Sequence, residues 1–182
     1  MSTLKVGTIQ DHANSNTALT IDSSGRVKRS VIPAWYCVRT PSTSHNITSS
    51  HTDISDWKTD STGLSSPSFP PYVSGGVTLT SNKTITIPVT GLYHISWNLR
   101  VSTLGDGYWV YGYVYDVTKS TGAPAAEAGI SAIQSYASSY FNVGASATVQ
   151  CTANQQLRVG VSGNTSGTAD YYQSNWSGHL VG

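Results

Sequence analysis

Ionisable side chains are scarce in this chain: 10% of its 182 residues are Asp, Glu, Lys or Arg, against roughly 25% in an average soluble protein. Ser and Thr are abundant instead, so the surface must be made polar by hydroxyls and amides. Ten basic and nine acidic residues leave a formal net charge of +1, which gives none of the clustered Lys and Arg that phosphate binding requires. The nearest approach, Arg26-Val27-Lys28-Arg29, reads as a solvated turn. No nucleic-acid partner is expected.

Long apolar runs are missing as well. No stretch approaches the length of a membrane span, and the start, Met1-Ser2-Thr3-Leu4-Lys5-Val6-Gly7, has no apolar core flanked by positive charge. Neither membrane insertion nor a cleaved export signal is expected. The sequons at Asn46, Asn82, Asn164 and Asn175 then carry little meaning, because a Ser/Thr-rich chain generates them by chance. There are two cysteines, Cys37 and Cys151, far apart and outside any C-x-x-C or metal-ligand spacing. They read as two buried thiols, with a single bridge left open.

Catalytic signatures are absent too. There is no G-x-S-x-G and no Ser, His and Asp set with recognisable flanks. Glu127 is the sole glutamate, and most aspartates fall in turns, which argues against paired carboxylates for glycoside hydrolysis. His45, His51, Asp53, Asp56 and Asp60 form the one concentration of metal-ligand types, but their spacing fits neither an EF-hand nor H-E-x-x-H. They read as a solvated loop. No catalytic residue, metal or cofactor is assigned, and the chain is not expected to be an enzyme.

What the chain does have is alternation. In Tyr93 to Val101, the residues Tyr93, Ile95, Trp97, Leu99 and Val101 fall on one face of a strand, with His94, Ser96, Asn98 and Arg100 on the other. The run from Tyr108 to Asp116 is apolar or aromatic on both faces: Trp109, Tyr111, Tyr113 and Tyr115 on one, Tyr108, Val110, Gly112 and Val114 on the other. Such a strand must be covered on both sides, in a sandwich or at a subunit interface. Trp97, Trp109, Tyr111, Tyr113 and Tyr115 are therefore assigned to a trimer interface or the core.

Further strands are expected at residues 34–39, 77–80, 84–89, 130–136, 138–143, 147–151 and 157–161, with a last one from Tyr171 or Tyr172 to Val181 and a turn at Gly144. Residues 40–77, rich in Ser, Thr, Pro and Asp, read as a long decorated loop with one or two short edge strands. Many short strands with frequent turns make an all-β sandwich or jelly roll. Residues 1–30 differ: short strands around Leu4, Val6 and Ile9 and around Ala18 to Ile21, with a reversal at Asp22-Ser23-Ser24-Gly25. That fragment buries too little to stand alone. The chain is thus divided into a segment 1–30 and a domain 31–182.

Three motifs in order carry a resemblance. Ile87-Pro88-Val89-Thr90-Gly91-Leu92-Tyr93-His94-Ile95-Ser96-Trp97, then Asn154-Gln155-Gln156 leading into Leu157 to Val161, then Trp176-Ser177-Gly178-His179-Leu180 resemble the C1q/TNF family over residues 33–182. The resemblance implies a C1q/TNF-like jelly roll working as a homotrimer, here with a short extended N-terminal β segment. The Asn-Gln-Gln turn departs from the acidic or Gly-rich turn usual there, so no ligand or calcium site carries over, and no collagen-like stalk precedes the domain.

The N-terminal stretches "LKVGTIQ" and "LTIDSSGRV" are similar to the leading segments of tail-fibre and other virion structural proteins in phages of marine bacteria. This implies attachment to tail or capsid proteins of a virion through Leu4, Val6, Ile9, Leu19, Ile21 and Val27, and assembly in the host cytoplasm. A fibre, knob or decoration subunit follows as the expectation. The alternative is a receptor- or glycan-binding tip, with Tyr72, Tyr171, Tyr172 and Trp176 stacking on a host surface glycan.

Overall fold

The structure, a computed structural model, describes residues 8–10, 17–21, 23–29, 31–39, 46–61, 69–102, 109–119, 130–135, 140–164 and 169–182. It comprises two compact units, Met1–Ile32 and Pro33–Gly182. The first is an antiparallel three-stranded sheet in the order β1 (Thr8–Gln10), β2 (Thr17–Ile21), β3 (Val27–Arg29). Ile9 pairs with Leu19 and Ile21 with Val27 across it. Ile21 is exposed, whereas Leu4 and Val6 lie outside the described residues.

The second unit holds β4 (Ala34–Arg39), β5 (Asn46–Ile47), β6 (Thr52–Asp53), β7 (Trp57–Lys58), β8 (Tyr72–Ser74), β9 (Thr78–Thr80) and β10 (Thr84–Thr86). The long strands follow: β11 (Gly91–Ser102), β12 (Trp109–Asp116), β13 (Ile130–Ser135), β14 (Tyr140–Cys151), β15 (Gln156–Gly163) and β16 (Ala169–Leu180). A seven-stranded sheet has the order β14-β11-β16-β4-β7, with β5 on β16 and β8 on β4. A six-stranded sheet has the order β13-β12-β15-β10-β9, with β6 on β15. All pairings are antiparallel, and the chain changes sheet between β10 and β11, β11 and β12, β13 and β14, β14 and β15, and β15 and β16. That alternation is the jelly-roll path expected from the sequence.

Period two decides which face is buried. Tyr93, Ile95, Trp97, Leu99 and Val101 of β11 all enter the core, as their spacing predicts. Three tryptophans cluster in it: Trp35 meets Trp176 edge-on at 5.9 Å between ring centroids, and Trp57 lies 5.9 Å from Trp176 on another side. Gly178 makes this packing possible, since a Cβ there would come within 2.3 Å of the Trp35 ring. The glycine of the Trp-Ser-Gly motif is thus a seat for an indole.

Four expectations need correcting. Residues 138–143 and 147–151 do not form two strands around a turn: β14 runs unbroken through Gly144, which pairs with Asn98. Val143, Ala145, Ala147 and Val149 keep the two-residue period across it, and the long partner β11 pairs with β14 along its whole length. The strand expected at 84–89 ends at Thr86, because Pro88 has no N–H to donate; Ile87 instead bonds Gln155 and Asn154. The last strand starts at Ala169, two residues earlier than expected.

The fourth correction concerns the loop. Within residues 40–77 lie four short strands, β5 to β8, and Ile47, Ile54 and Trp57 are core residues. Three widely spaced apolar anchors among hydroxyls have no period, which is why they read as decoration. Cys37 and Cys151 are free and buried. β16 and β11 separate their strands, and Cys37 aligns with Ala145 rather than with Cys151 across them, so at about 4.8 Å per strand the thiols stand more than about 14 Å apart, beyond bridging. Burial pushes the Cys37 thiol up to about 12 and that of Cys151 up to about 11, making both inert packing groups.

Candidate functional site

β12 turns Val110 and Val114 into the core and Tyr113 and Tyr115 to the outer side of the six-stranded sheet. That side is not left open. β6 pairs with β15 through Gly160↔Asp53 and Val161↔Thr52, and Ile54 N–H donates to Val159 O at 2.9 Å. This lays His51 and Asp53 across the tyrosine row. Gly160 supplies the room: a Cβ there would come within 2.7 Å of both the His51 and Tyr113 rings.

The result is a closed polar knot. His51 Nδ1 hydrogen-bonds the Tyr113 hydroxyl, and His51 Nε2 lies 2.8 Å from Asp53 Oδ1. Tyr115 donates its hydroxyl to the same Oδ1. Arg158 Nη1 donates to Asp53 Oδ2 at 2.6 Å and Arg158 Nε to Thr84 Oγ1 at 2.8 Å. Lys83 Nζ stands 3.9 Å from Oδ2.

Burial alone would raise the Asp53 carboxyl, but hydrogen bonds from Tyr115, Arg158 and His51, with the Arg158 charge, hold it below the ordinary carboxylate value. Burial first, then the charge of Asp53, pushes both tyrosine hydroxyls well above their usual range. A tyrosine so hard to ionise is a poor nucleophile, and Asp53 has its lone pairs occupied. The knot therefore fastens the 46–58 segment rather than performing a reaction.

His51 and Asp53 were expected in a solvated loop, and this is corrected: both are tied into the sheet because Tyr113, Tyr115 and Arg158 face them. Asp56 stands 4.0 Å from buried Arg39, Asp60 is exposed, and His45 lies outside the described residues. Among the described residues no three His, Cys, Asp or Glu side chains form a metal-binding group. The His51-x-Asp53 spacing, which puts both on one face of a strand, was the available signal for the knot.

The outer face of the seven-stranded sheet is different in kind. Strands β11 and β16 put identical residues opposite each other: His94↔His179, Ser96↔Ser177 and Asn98↔Asn175 outside, with Trp97↔Trp176 inside. β4 continues this face with Ala34, Tyr36 and Val38, and β14 with Thr148, Ser146 and Gly144. Its charged neighbours are Lys58, which pairs with Val38 at the β7 edge, and Arg100. Beside it, an open and mainly apolar groove of about 670 Å³ is lined by Phe69, Pro70, Pro71, Tyr72, Tyr36 and His179, among others. Phe69 is 74% and Tyr72 48% exposed.

Of the residues assigned to interface or core, Trp97 is in the core, Tyr113 and Tyr115 are buried beneath the chain's own 46–58 segment, and Trp109 and Tyr111 are half-buried. Of the candidate glycan contacts, only Tyr72 is placed on the surface. Trp176 is corrected: it is 0% exposed, because its position in β16 shares the inward face with Gly178. Tyr171 and Tyr172 pair with Val101 and Arg100 in the backbone ladder, and their side chains lie outside the described residues.

No protein-family model matches the chain, and no curated protein matches it. Among solved structures it is similar to one titled "Structure of Eiger TNF from S. frugiperda", over 85% of this chain and 94% of that one, with a TM-score of 0.57 at 14% identity. At that identity the likeness is one of fold. The second unit is a TNF-like, all-β jelly-roll sandwich.

Proposed function

We propose that this chain is a non-enzymatic structural subunit of a phage virion, a homotrimeric fibre, knob or decoration protein anchored to tail or capsid by residues 1–30. The observation that carries self-association is the broad outer face of the seven-stranded sheet. Between Lys58 and Arg100 at its margins it carries no Asp, Glu, Lys or Arg, and presents Tyr36, Ser96 and Ser177 half-buried. Uncharged faces of this kind, with aromatic and amide groups, suit a contact between identical copies, where like charges would meet. The TNF-like fold supports the same reading, as does the division of the chain at residue 32. The role in a virion rests on the similarity of the N-terminal stretches.

The test is removal of residues 1–30. The truncated chain is expected to remain a folded trimer by light scattering and to be missing from assembled particles. A monomer at micromolar concentration, or normal incorporation, overturns the reading.

A second reading is favoured by the exposed Phe69 and Tyr72 on their groove: a tip that stacks on host surface glycans. Adsorption of the isolated chain to host cells should then fall at least tenfold in the F69A/Y72A variant. Equal adsorption by both proteins removes it.

A further inference from the structure

We propose that His94 and His179 form a two-histidine site for a borderline divalent transition ion such as Zn²⁺, Cu²⁺ or Ni²⁺. The two residues are direct cross-strand partners in β11 and β16, and their rings lie 5.7 Å apart with planes at 52°. A tetrahedral ion holding two imidazole nitrogens at about 2.0–2.1 Å places the ring centroids roughly 5–6 Å apart. The pair already stands at that spacing. Antiparallel strands fix both Cα positions, so no backbone rearrangement is needed to bring the rings together.

The surroundings agree. His94 Nδ1 lies 3.3 Å from Thr148 Oγ1, a hydroxyl partner that fixes the ring and leaves Nε2 as the donor atom. The lateral neighbours on this face are Ala34 and Thr148, and the next row holds Ser96 and Ser177. None is a cation that would repel a metal. His179 is exposed and His94 half-exposed, so an ion reaches the pair from solvent and water completes its coordination. Imidazole pairs suit Zn²⁺, Cu²⁺ and Ni²⁺ over the oxygen-seeking Ca²⁺ and Mg²⁺. The site does not rest on the virion role; the histidine pair lies at the Ala34 margin of the face proposed for self-association, where exposed His179 leaves it open to solvent.

The experiment is calorimetric titration of the full chain with ZnCl₂, NiCl₂ and CaCl₂, with Cu²⁺ paramagnetic resonance on the same protein. One Zn²⁺ or Ni²⁺ per chain, no Ca²⁺, and a Cu²⁺ spectrum with two nitrogen ligands are expected. H94Q and H179Q should each weaken binding at least tenfold, while H12Q/H45Q leaves it unchanged. Undiminished binding in H94Q/H179Q, a stoichiometry below one ion per chain, or no binding by the unaltered protein overturns the proposal. Should a variant misfold, the resonance spectrum of the unaltered chain still decides, because a single-nitrogen signature refutes the pair.

Discussion

Trp97 stands directly opposite Trp176 in the β11–β16 ladder, both inside the core, with Ser96–Ser177 beside them on the outer face. The segment His94-Ile95-Ser96-Trp97-Asn98 thus meets its own inverse, Asn175-Trp176-Ser177-Gly178-His179, residue for residue except where Gly178 faces Ile95. Sliding one strand by a single position would turn its indole to solvent and bring its histidine, serine and asparagine into the core. The inverse repeat therefore locks register and produces the paired histidines at once.

Trp176→Ala is expected to cost about 3–5 kcal/mol, the usual penalty for emptying a buried tryptophan site. Tyr72→Ala, at an exposed position, should cost less than about 0.5 kcal/mol. Urea denaturation of the two variants checks this. Native stability in the Trp176 variant would mean that the aromatic cluster does not hold the sandwich.

Gly178→Ala adds one methyl group, yet it is expected to destabilise by about 1–3 kcal/mol, because the Trp35 ring occupies the space the methyl needs. Near-ultraviolet circular dichroism should change with it. A neutral substitution would show that Trp35 can move away freely.

The two-residue period made the long strands legible from the sequence, since Tyr93, Ile95, Trp97, Leu99 and Val101 of β11 follow one another two places apart. The order of the three motifs made the jelly roll legible. The 46–58 segment was not, because Ile47, Ile54 and Trp57 are held by tertiary contacts and carry no period of their own. The polar knot was hidden for a related reason: His51 and Asp53 acquire meaning only when β15 brings Gly160 and Arg158 beside them from more than a hundred residues away. Trp176 misled because a tryptophan near the chain end looks like a surface group until Gly178 is seen to seat a second indole against it.

Asp53 is ionised more readily in the folded protein than in the unfolded chain. Its contribution to stability is therefore complete above the ordinary carboxylate range, near pH 4, and is lost as the pH falls through its lower folded value. Asp53→Asn should be less stable than the parent at pH 7, with the gap closing below about pH 4. Chemical denaturation across that range measures it. A gap independent of pH would separate the carboxylate charge from the fastening of the 46–58 segment.

Tyr113 and Tyr115 are held un-ionised, by burial first and then by Asp53. A raised folded value contributes stability that is whole below about pH 10, where free tyrosine titrates, and that is lost as the pH rises through the folded values. Ultraviolet absorbance titration should show these two hydroxyls among the last of the 11 tyrosines to ionise, together with buried Tyr93. Tyr115→Phe should remove one late step and, by taking a hydrogen bond from Asp53, raise the pH at which the carboxylate is lost in acid. If all tyrosines titrate together below the unfolding transition, the 46–58 segment does not cover β12 in solution.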